Sequence, residues 1–260
     1  MRVLIISDVH ANLTALEAVL ADASELDFLG AVGFEEVWCL GDLVGYGPDP
    51  SECVERLQDF GDRLLCVAGN HDWAVLENLP VDDFNPEARR AVMWTQEHLT
   101  APARAYLAEL PAEPLVRGQY TITHASPRHP VWEYVVSPYV ARENYDFFDT
   151  TFCLVGHTHV PMIFQCAEME RGGGSSGRCR ALSPTYAQPV GLANGHRLIL
   201  NPGSVGQPRD SDPRAAYAML DTETNIVLYR RAAYSYELTQ ARMRAAKLPD
   251  RLIARLSYGW

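Results

Sequence analysis

The chain has 260 residues, 47% hydrophobic and 21% charged, the balance of an ordinary globular protein that can bury a sizeable core. No apolar run approaches the ~20 residues of a membrane span, and the run at the N-terminus is too short for a signal-peptide core, so a cytoplasmic protein without membrane contact is expected. The formal net charge of −11 argues against extended nucleic acid as a partner, which needs a basic footprint, but leaves room for an anionic substrate where a bound metal reverses the local sign.

Val3–Ile6 reads as a short strand. Asn12 can cap a helix that carries Leu13, Leu16, Val19 and Leu20 on one face. Glu36–Leu40 is a second strand, Pro50–Phe60 a helix with Cys53, Leu57 and Phe60 at helical spacing, and Arg63–Ala68 a third strand. Units of this length imply right-handed crossovers and parallel strands. Residues 72–112 break the rhythm. Asn85-Pro86-Glu87 marks a helix start, followed by Ala88, Ala91, Val92, Thr95 and Leu99 on one face, and Thr100–Leu110 suggests a further short helix. This helical insert follows Asn70-His71 directly and is placed to cover them. Strand patterns return at Tyr120–Thr123, Phe152–Val155, Met162–Cys166, Arg197–Leu200, Ala216–Leu220 and Ile226–Tyr229. Gly172–Gly177 reads as a flexible tip and Asp221–Asn225 as a tight turn. Residues 236–257 form a C-terminal helical segment in two pieces, broken by Pro249. With no internal repeat or linker, one α/β domain over residues 1–260 is expected. None of the six cysteines forms a C-x-x-C pair, which argues against a thiolate metal site. Cys39, Cys66 and Cys153 lie in strand-like runs and read as core residues. Cys166 and Cys179 flank the glycine-serine stretch and could approach each other, although free thiols are the expectation for a cytoplasmic chain.

The polar residues fall where the strands end. Val3–Ser7 runs into Asp8-Val9-His10, Val37–Leu40 into Gly41-Asp42, and Leu64–Ala68 into Gly69-Asn70-His71-Asp72. Thr121–Thr123 runs into His124, and Phe152–Val155 into Gly156-His157-Thr158-His159. In open α/β sheets the site lies outside the carboxyl ends of the strands, so all five segments would deliver polar ends to one edge of the sheet. In extended geometry His157 and His159, two residues apart, would point to the same side. Asp8, His10, Asp42, Asn70, His124, His157 and His159 then make a ligand set too large for one metal but suited to two metals sharing one carboxylate. Imidazole and carboxylate donors suit Mn, Fe, Zn, Co or Ni, with manganese favoured, better than Ca or Mg. Such a pair clamps a phosphate and can hold a hydroxide.

The ordered set Asp8-Val9-His10, Gly41-Asp42, Gly69-Asn70-His71, His124 and Gly156-His157-Thr158-His159 resembles the calcineurin-like metallophosphoesterases, and Asn201-Pro202-Gly203-Ser204 is similar to a segment of their small bacterial and archaeal phosphodiesterase branch. The resemblance implies a four-layer αββα sandwich of two mixed β-sheets flanked by helices. It implies that Asp8, His10, Asp42 and His159 hold one metal and that Asp42, Asn70, His124 and His157 hold the other, with Asp42 bridging. It also implies that His71 donates a proton to the leaving oxygen while a metal-bound hydroxide attacks phosphorus. The protein Ser/Thr phosphatase branch carries Asp-Arg three and four residues after the bridging Asp. Gly45 and Tyr46 stand there in this chain, so a protein phosphatase is not expected and the orienting partner of His71 has to be sought elsewhere, at Asp72 or Asp49. The expected function is hydrolysis of phosphate esters, diesters before monoesters, on a small molecule or nucleotide. The alternatives are a nuclease acting on short oligonucleotides and a non-catalytic metal-binding scaffold for protein partners. Arg128 and Arg209 are candidate phosphate contacts, although surface arginine is the simpler reading of each. Trp73, Trp94 and Trp132 could stack a nucleoside, with core packing the simpler role.

Overall fold

The computed structural model of the chain describes residues 1–166, 179–192 and 195–260; the glycine-serine tip at 172–177 lies outside them. The strands are β1 (Arg2–Ile6), β2 (Asp27–Phe28), β3 (Ala31–Val32), β4 (Glu36–Cys39), β5 (Leu64–Cys66), β6 (Leu115–Arg117), β7 (Tyr120–Ile122), β8 (Phe152–Leu154), β9 (Met162–Cys166), β10 (Cys179–Leu182), β11 (Val190–Gly191), β12 (Arg197–Asn201), β13 (Ala215–Asp221) and β14 (Ile226–Ala232). The helices are α1 (Leu13–Glu25), α2 (Pro50–Gln58), α3 (Asn70–Val75), α4 (Pro86–His98), α5 (Ala101–Glu109), α6 (Pro138–Asn144), α7 (Tyr236–Ala245) and α8 (Asp250–Arg255).

Two six-stranded sheets carry the architecture. The first runs β11-β14-β13-β1-β4-β5 and the second β10-β9-β12-β8-β7-β6. Both are mixed: β1, β4 and β5 are parallel, as are β7, β8 and β12, while the remaining pairings are antiparallel. Side-chain alternation along each strand explains the layers. Val3 and Ile5 of β1 face the second sheet and meet Ile122, Phe152, Leu154 and Leu200 in a shared core. Leu4 and Ile6 face the opposite way, onto Leu16, Val19 and Leu20 of α1 and Val54 and Leu57 of α2. On the far side of the second sheet, Cys153, Val155, Phe164 and Ile199 pack under Ala141 of α6 with Tyr145 and Phe148. The result is the four-layer αββα sandwich, with a thin outer layer over the second sheet.

Local chemistry accounts for the helix boundaries. Asn12 accepts from the Ala15 amide at 3.2 Å at the start of α1, and Asn85 accepts from the Ala88 amide at 3.0 Å ahead of Pro86 in α4. Pro249 separates α7 from α8, and both pack through Met243, Leu252 and Ile253 on Ala88 and Ala91 of α4 and on Tyr46.

Two expectations change. The five polar strand ends belong to both sheets, β1, β4 and β5 in the first and β7 and β8 in the second, so the carboxyl ends of two sheets converge rather than one sheet edge. Cys166 and Cys179 are paired as a disulfide instead of lying free, because the antiparallel β9–β10 register sets them directly opposite each other with Cα atoms 4.1 Å apart. Cys39, Cys53, Cys66 and Cys153 are free and buried.

Candidate metal centre

Each strand end turns sharply into the space between the sheets. Asp8, His10, Asp42, His157 and His159 all adopt positive φ, between 49° and 62°, a region that L residues other than glycine seldom occupy and that clusters at functional sites. His157 and His159 therefore do not lie on an extended strand. Each leaves β8 through a left-handed turn, and they join different groups. Gly156, before them, has no room for a side chain: a Cβ would run into Ser7 Oγ.

The seven residues predicted as ligands come together. Asp8, His10, Asp42 and His159 offer ligand atoms that all lie within 4.8 Å of one another, and so do Asp42, His124 and His157. All are buried. His10 Nε2 and His159 Nε2 are 3.1 Å apart, and His159 Nε2 is 3.4 Å from Asp8 Oδ1. His124 Nε2 lies 3.1 Å from His157 Nδ1 and 3.2 Å from Asn70 Oδ1. Asp42 Oδ2 sits 3.5 Å from His10 Nε2 and 3.5 Å from His124 Nε2, between the two groups.

The contact between His10 Nε2 and His159 Nε2 is not a hydrogen bond. His10 Nδ1 meets the Val44 carbonyl at 3.1 Å, His124 Nδ1 the Leu40 carbonyl at 2.8 Å, and His159 Nδ1 the Gln207 carbonyl at 2.6 Å. A carbonyl only accepts, so each proton sits on Nδ1 and each Nε2 turns a lone pair inward. Lone pairs 3.1 Å apart repel unless a cation lies between them. Ligands about 2.1 Å from a metal at tetrahedral to octahedral angles are spaced about 3.0–3.5 Å apart, which is the spacing found. Asp8 Oδ2, Asp42 Oδ2 and His157 Nε2 are also buried without partners. The residues present fit two cations.

The electrostatics agree. Burial holds His10, His71, His157 and His159 well below the usual histidine range. Burial pushes Asp8 up to about 7, with His124 opposing and Asp42 reinforcing, and raises Asp42 well above the carboxylate range. The imidazoles are thus ready to bind metal, and the proton that competes with a cation near neutrality is on a carboxyl. A carboxyl whose folded value exceeds its unfolded value (about 3.9) stabilises the fold below that unfolded value and loses the contribution as pH rises through about 7 for Asp8. The metal-free protein gives up this contribution toward pH 8, where the ionised carboxyls bind cations best. The rise in melting temperature on adding Mn should therefore grow from pH 6 to pH 8; a rise that is flat or shrinking over this window would contradict the assignment.

Neighbouring segments brace the ligands. Asp72 accepts from the Gly69 amide at 2.9 Å and the Val44 amide at 3.1 Å, tying the loop after β4 to the start of α3. Asn201 Nδ2 donates to the Gly156 carbonyl at 2.7 Å, and Ser204 Oγ donates to the Asp8 carbonyl at 2.9 Å. The Asn201–Ser204 segment thus holds the loops that carry Asp8, His157 and His159, a role its sequence does not disclose.

His71 stands over the cluster in a cleft of ≈ 170 Å³ that Phe84, Trp132 and Arg209 also line. Its amide donates to Asp42 Oδ1 at 2.8 Å. Neither carboxylate suggested for orienting it does so. Asp72 binds backbone amides, and Asp49 pairs with Arg242. Aromatic walls hold the ring instead, Tyr46 at 4.3 Å and Phe84 at 5.0 Å between centroids, while Nδ1 has no partner. Gly45, at φ +85°, abuts that nitrogen, and a Cβ there would collide with it. Gly45→Ala should retain metal and lower kcat by about 10²-fold, as expected for a displaced reacting group; unchanged kcat with full metal content would show that the ring position is unimportant.

Of the tryptophans, Trp132 reaches the cleft, 5.1 Å from Phe84, while Trp94 stacks on His98 and Trp73 is not among the lining residues. Arg128 is tied to Glu133 and Glu143 and is no free cation. Arg209, a candidate phosphate contact in the sequence with a surface position as its simpler reading, lines the cleft.

A family model described as a calcineurin-like phosphoesterase superfamily domain matches residues 1–225. The crystal structure of a metallophosphoesterase from Sphaerobacter thermophilus is 44% identical and superposes with a TM-score of 0.83, covering 100% of both chains. An uncharacterised protein of Methanocaldococcus jannaschii is 34% identical over 98% of this chain and 97% of its own. Phosphodiesterase YfcE of Escherichia coli is 24% identical over 88% of this chain and 91% of its own.

Proposed function

The chain belongs to the calcineurin-like phosphoesterase superfamily and is a metal-dependent hydrolase of phosphate esters, and we propose that it cleaves phosphodiesters of small molecules or nucleotides at a pair of divalent cations. The observation that carries this reading is Asp42 Oδ2, unpartnered and 3.5 Å from one histidine of each group. Asp8, His10, Asp42 and His159 would hold one cation, and Asp42, Asn70, His124 and His157 the other. This nitrogen and oxygen donor set suits Mn, Fe, Zn, Co or Ni, with manganese favoured. When bound, such a pair lowers the pKa of water toward neutrality and neutralises charge on phosphoryl oxygens.

The chain's own residues do the rest. Asp8 and Asp42 supply two negative charges against four positive ones, leaving the site net positive for an anionic ester inside an acidic protein. His71 stands beside the bridging carboxylate, its amide bonded to Asp42 Oδ1, in place to give a proton to the leaving oxygen. Burial and Arg209 hold its ring well below the usual histidine range; an anionic diester beside it works the other way and favours the imidazolium a donor needs. Phe84 and Trp132 offer apolar surface to an aromatic leaving group. The diester preference is supported by the absence of the Asp-Arg pair after Asp42 and by the name of the Escherichia coli relative.

Purified protein loaded with Mn should hydrolyse bis(p-nitrophenyl) phosphate with a higher kcat/KM than p-nitrophenyl phosphate, lose both activities to EDTA and regain them with Mn. Faster monoester turnover would overturn the diester preference. No turnover of either ester would favour a binding scaffold.

A further inference from the structure

We propose that Arg209 binds the scissile phosphoryl group through its guanidinium, and that Tyr46 and Gln207 position it there; this rests on the phosphoesterase reading of the site.

The chain lacks the arginine that a related branch places next to the bridging aspartate, and Tyr46 stands there instead. The guanidinium arrives from elsewhere. Arg209 follows β12, and its backbone amide donates to the carbonyl of His159 at 3.3 Å, so its position is tied to one of the candidate ligands. Its Nη2 donates to the Tyr46 hydroxyl at 3.3 Å and to Gln207 Oε1 at 3.2 Å, and its Cζ lies 5.8 Å from the Tyr46 ring centroid. These neutral contacts fix the plane of the group without neutralising it. Among the described residues no carboxylate lies within ion-pair distance of Arg209, although the chain carries 33 acidic residues against 22 basic ones. Its Nε–H, buried, has no acceptor. A half-buried guanidinium with a buried, unused donor, lining the cleft beside Asp42, His71 and His157, calls for an anion.

A second guanidinium reinforces the first. Arg255 of α8 reaches the same Gln207 Oε1 at 3.4 Å and likewise pairs with no carboxylate among the described residues. Two arginines thus share one neutral amide oxygen, and of these three residues only Arg209 lines the cleft. Gln207 also connects to the metal side, since its carbonyl accepts from His159 Nδ1. A tetrahedral phosphoryl group over Asp42 would present its non-bridging oxygens to this fork, a geometry that a planar guanidinium matches and an ammonium does not.

The test uses Arg209→Met, which keeps the stem's packing, and Arg209→Lys, which keeps the charge but not the fork, both loaded with Mn. Metal content and melting temperature should match the wild type. The dissociation constant for inorganic phosphate, measured by calorimetry, should rise at least about 10-fold in Arg209→Met, and kcat/KM for bis(p-nitrophenyl) phosphate should fall by about 10²-fold or more. Arg209→Lys should recover part of the phosphate affinity, and free guanidinium should partly restore the Arg209→Met rate. Tyr46→Phe, which keeps the ring and removes the hydroxyl, should show a smaller loss in the same direction. Wild-type phosphate affinity and kcat/KM in Arg209→Met would overturn the proposal. If wild-type protein itself neither binds phosphate nor turns over the ester, the phosphoesterase reading fails instead, a result distinguishable from loss in the variants alone.

Discussion

Replacing Asp42 by asparagine is expected to remove metal and activity together. Two dications about 3.5–4 Å apart repel by four times the unit-charge energy, on the order of 18 kcal/mol at an effective dielectric of ~20. A carboxylate oxygen about 2.1 Å from both attracts each by roughly 16 kcal/mol on the same scale. The bridging charge therefore decides whether a pair can form, and Asp42 Oδ2, between His10 and His124, is the atom placed to supply it. Asparagine keeps an Oδ1 acceptor for the His71 amide and nearly the same volume, so the fold should survive. We expect bound metal to fall below two equivalents by elemental analysis and kcat/KM to drop at least about 10³-fold. Burial raises Asp42 well above the carboxylate range, so the metal-free variant should be no less stable than metal-free wild type at pH 8. Retention of two metals with full activity would remove Asp42 from the bridging role.

His71→Ala should behave in the opposite way toward metal. The ring packs against Tyr46 and Phe84 and is a member of neither ligand group. Metal content should stay at the wild-type level while kcat falls about 10²–10⁴-fold, the range for loss of a positioned proton donor. The loss should depend on the leaving group. A p-nitrophenolate departs without protonation and should suffer least, whereas an alkoxide needs the proton and should suffer most. Equal losses for both esters would assign His71 a purely structural role.

Much of this site was legible in the chain because its signals are local. An apolar run that ends in Asp, Asn or His marks a sharp turn at a strand terminus, and five such endings, three of them just after glycine, identify the set before any coordinates. The helix starts at Asn12 and Asn85 were readable for the same reason, since a cap involves residues three apart. What could not be read depends on long-range placement. That the endings divide between two sheets follows from strand order. The expectation that His157 and His159 share a strand face failed because both are left-handed, and Asn201, which braces their loop through the Gly156 carbonyl, lies more than forty residues on. Arg209 was a candidate phosphate contact, but a surface position was the simpler reading because its partner Tyr46 is 163 positions away in sequence. Short strands such as β6 and β11 and the short helix α6 went unread because so few residues carry no clear period.

Anomalous diffraction from crystals of the Mn-loaded protein tests the central claim most directly. Two peaks of similar height should appear about 3.5–4 Å apart, one among Asp8, His10 and His159 and the other among Asn70, His124 and His157, with a carboxylate oxygen of Asp42 between them. A single peak, or peaks away from Asp42, would contradict the paired-cation account.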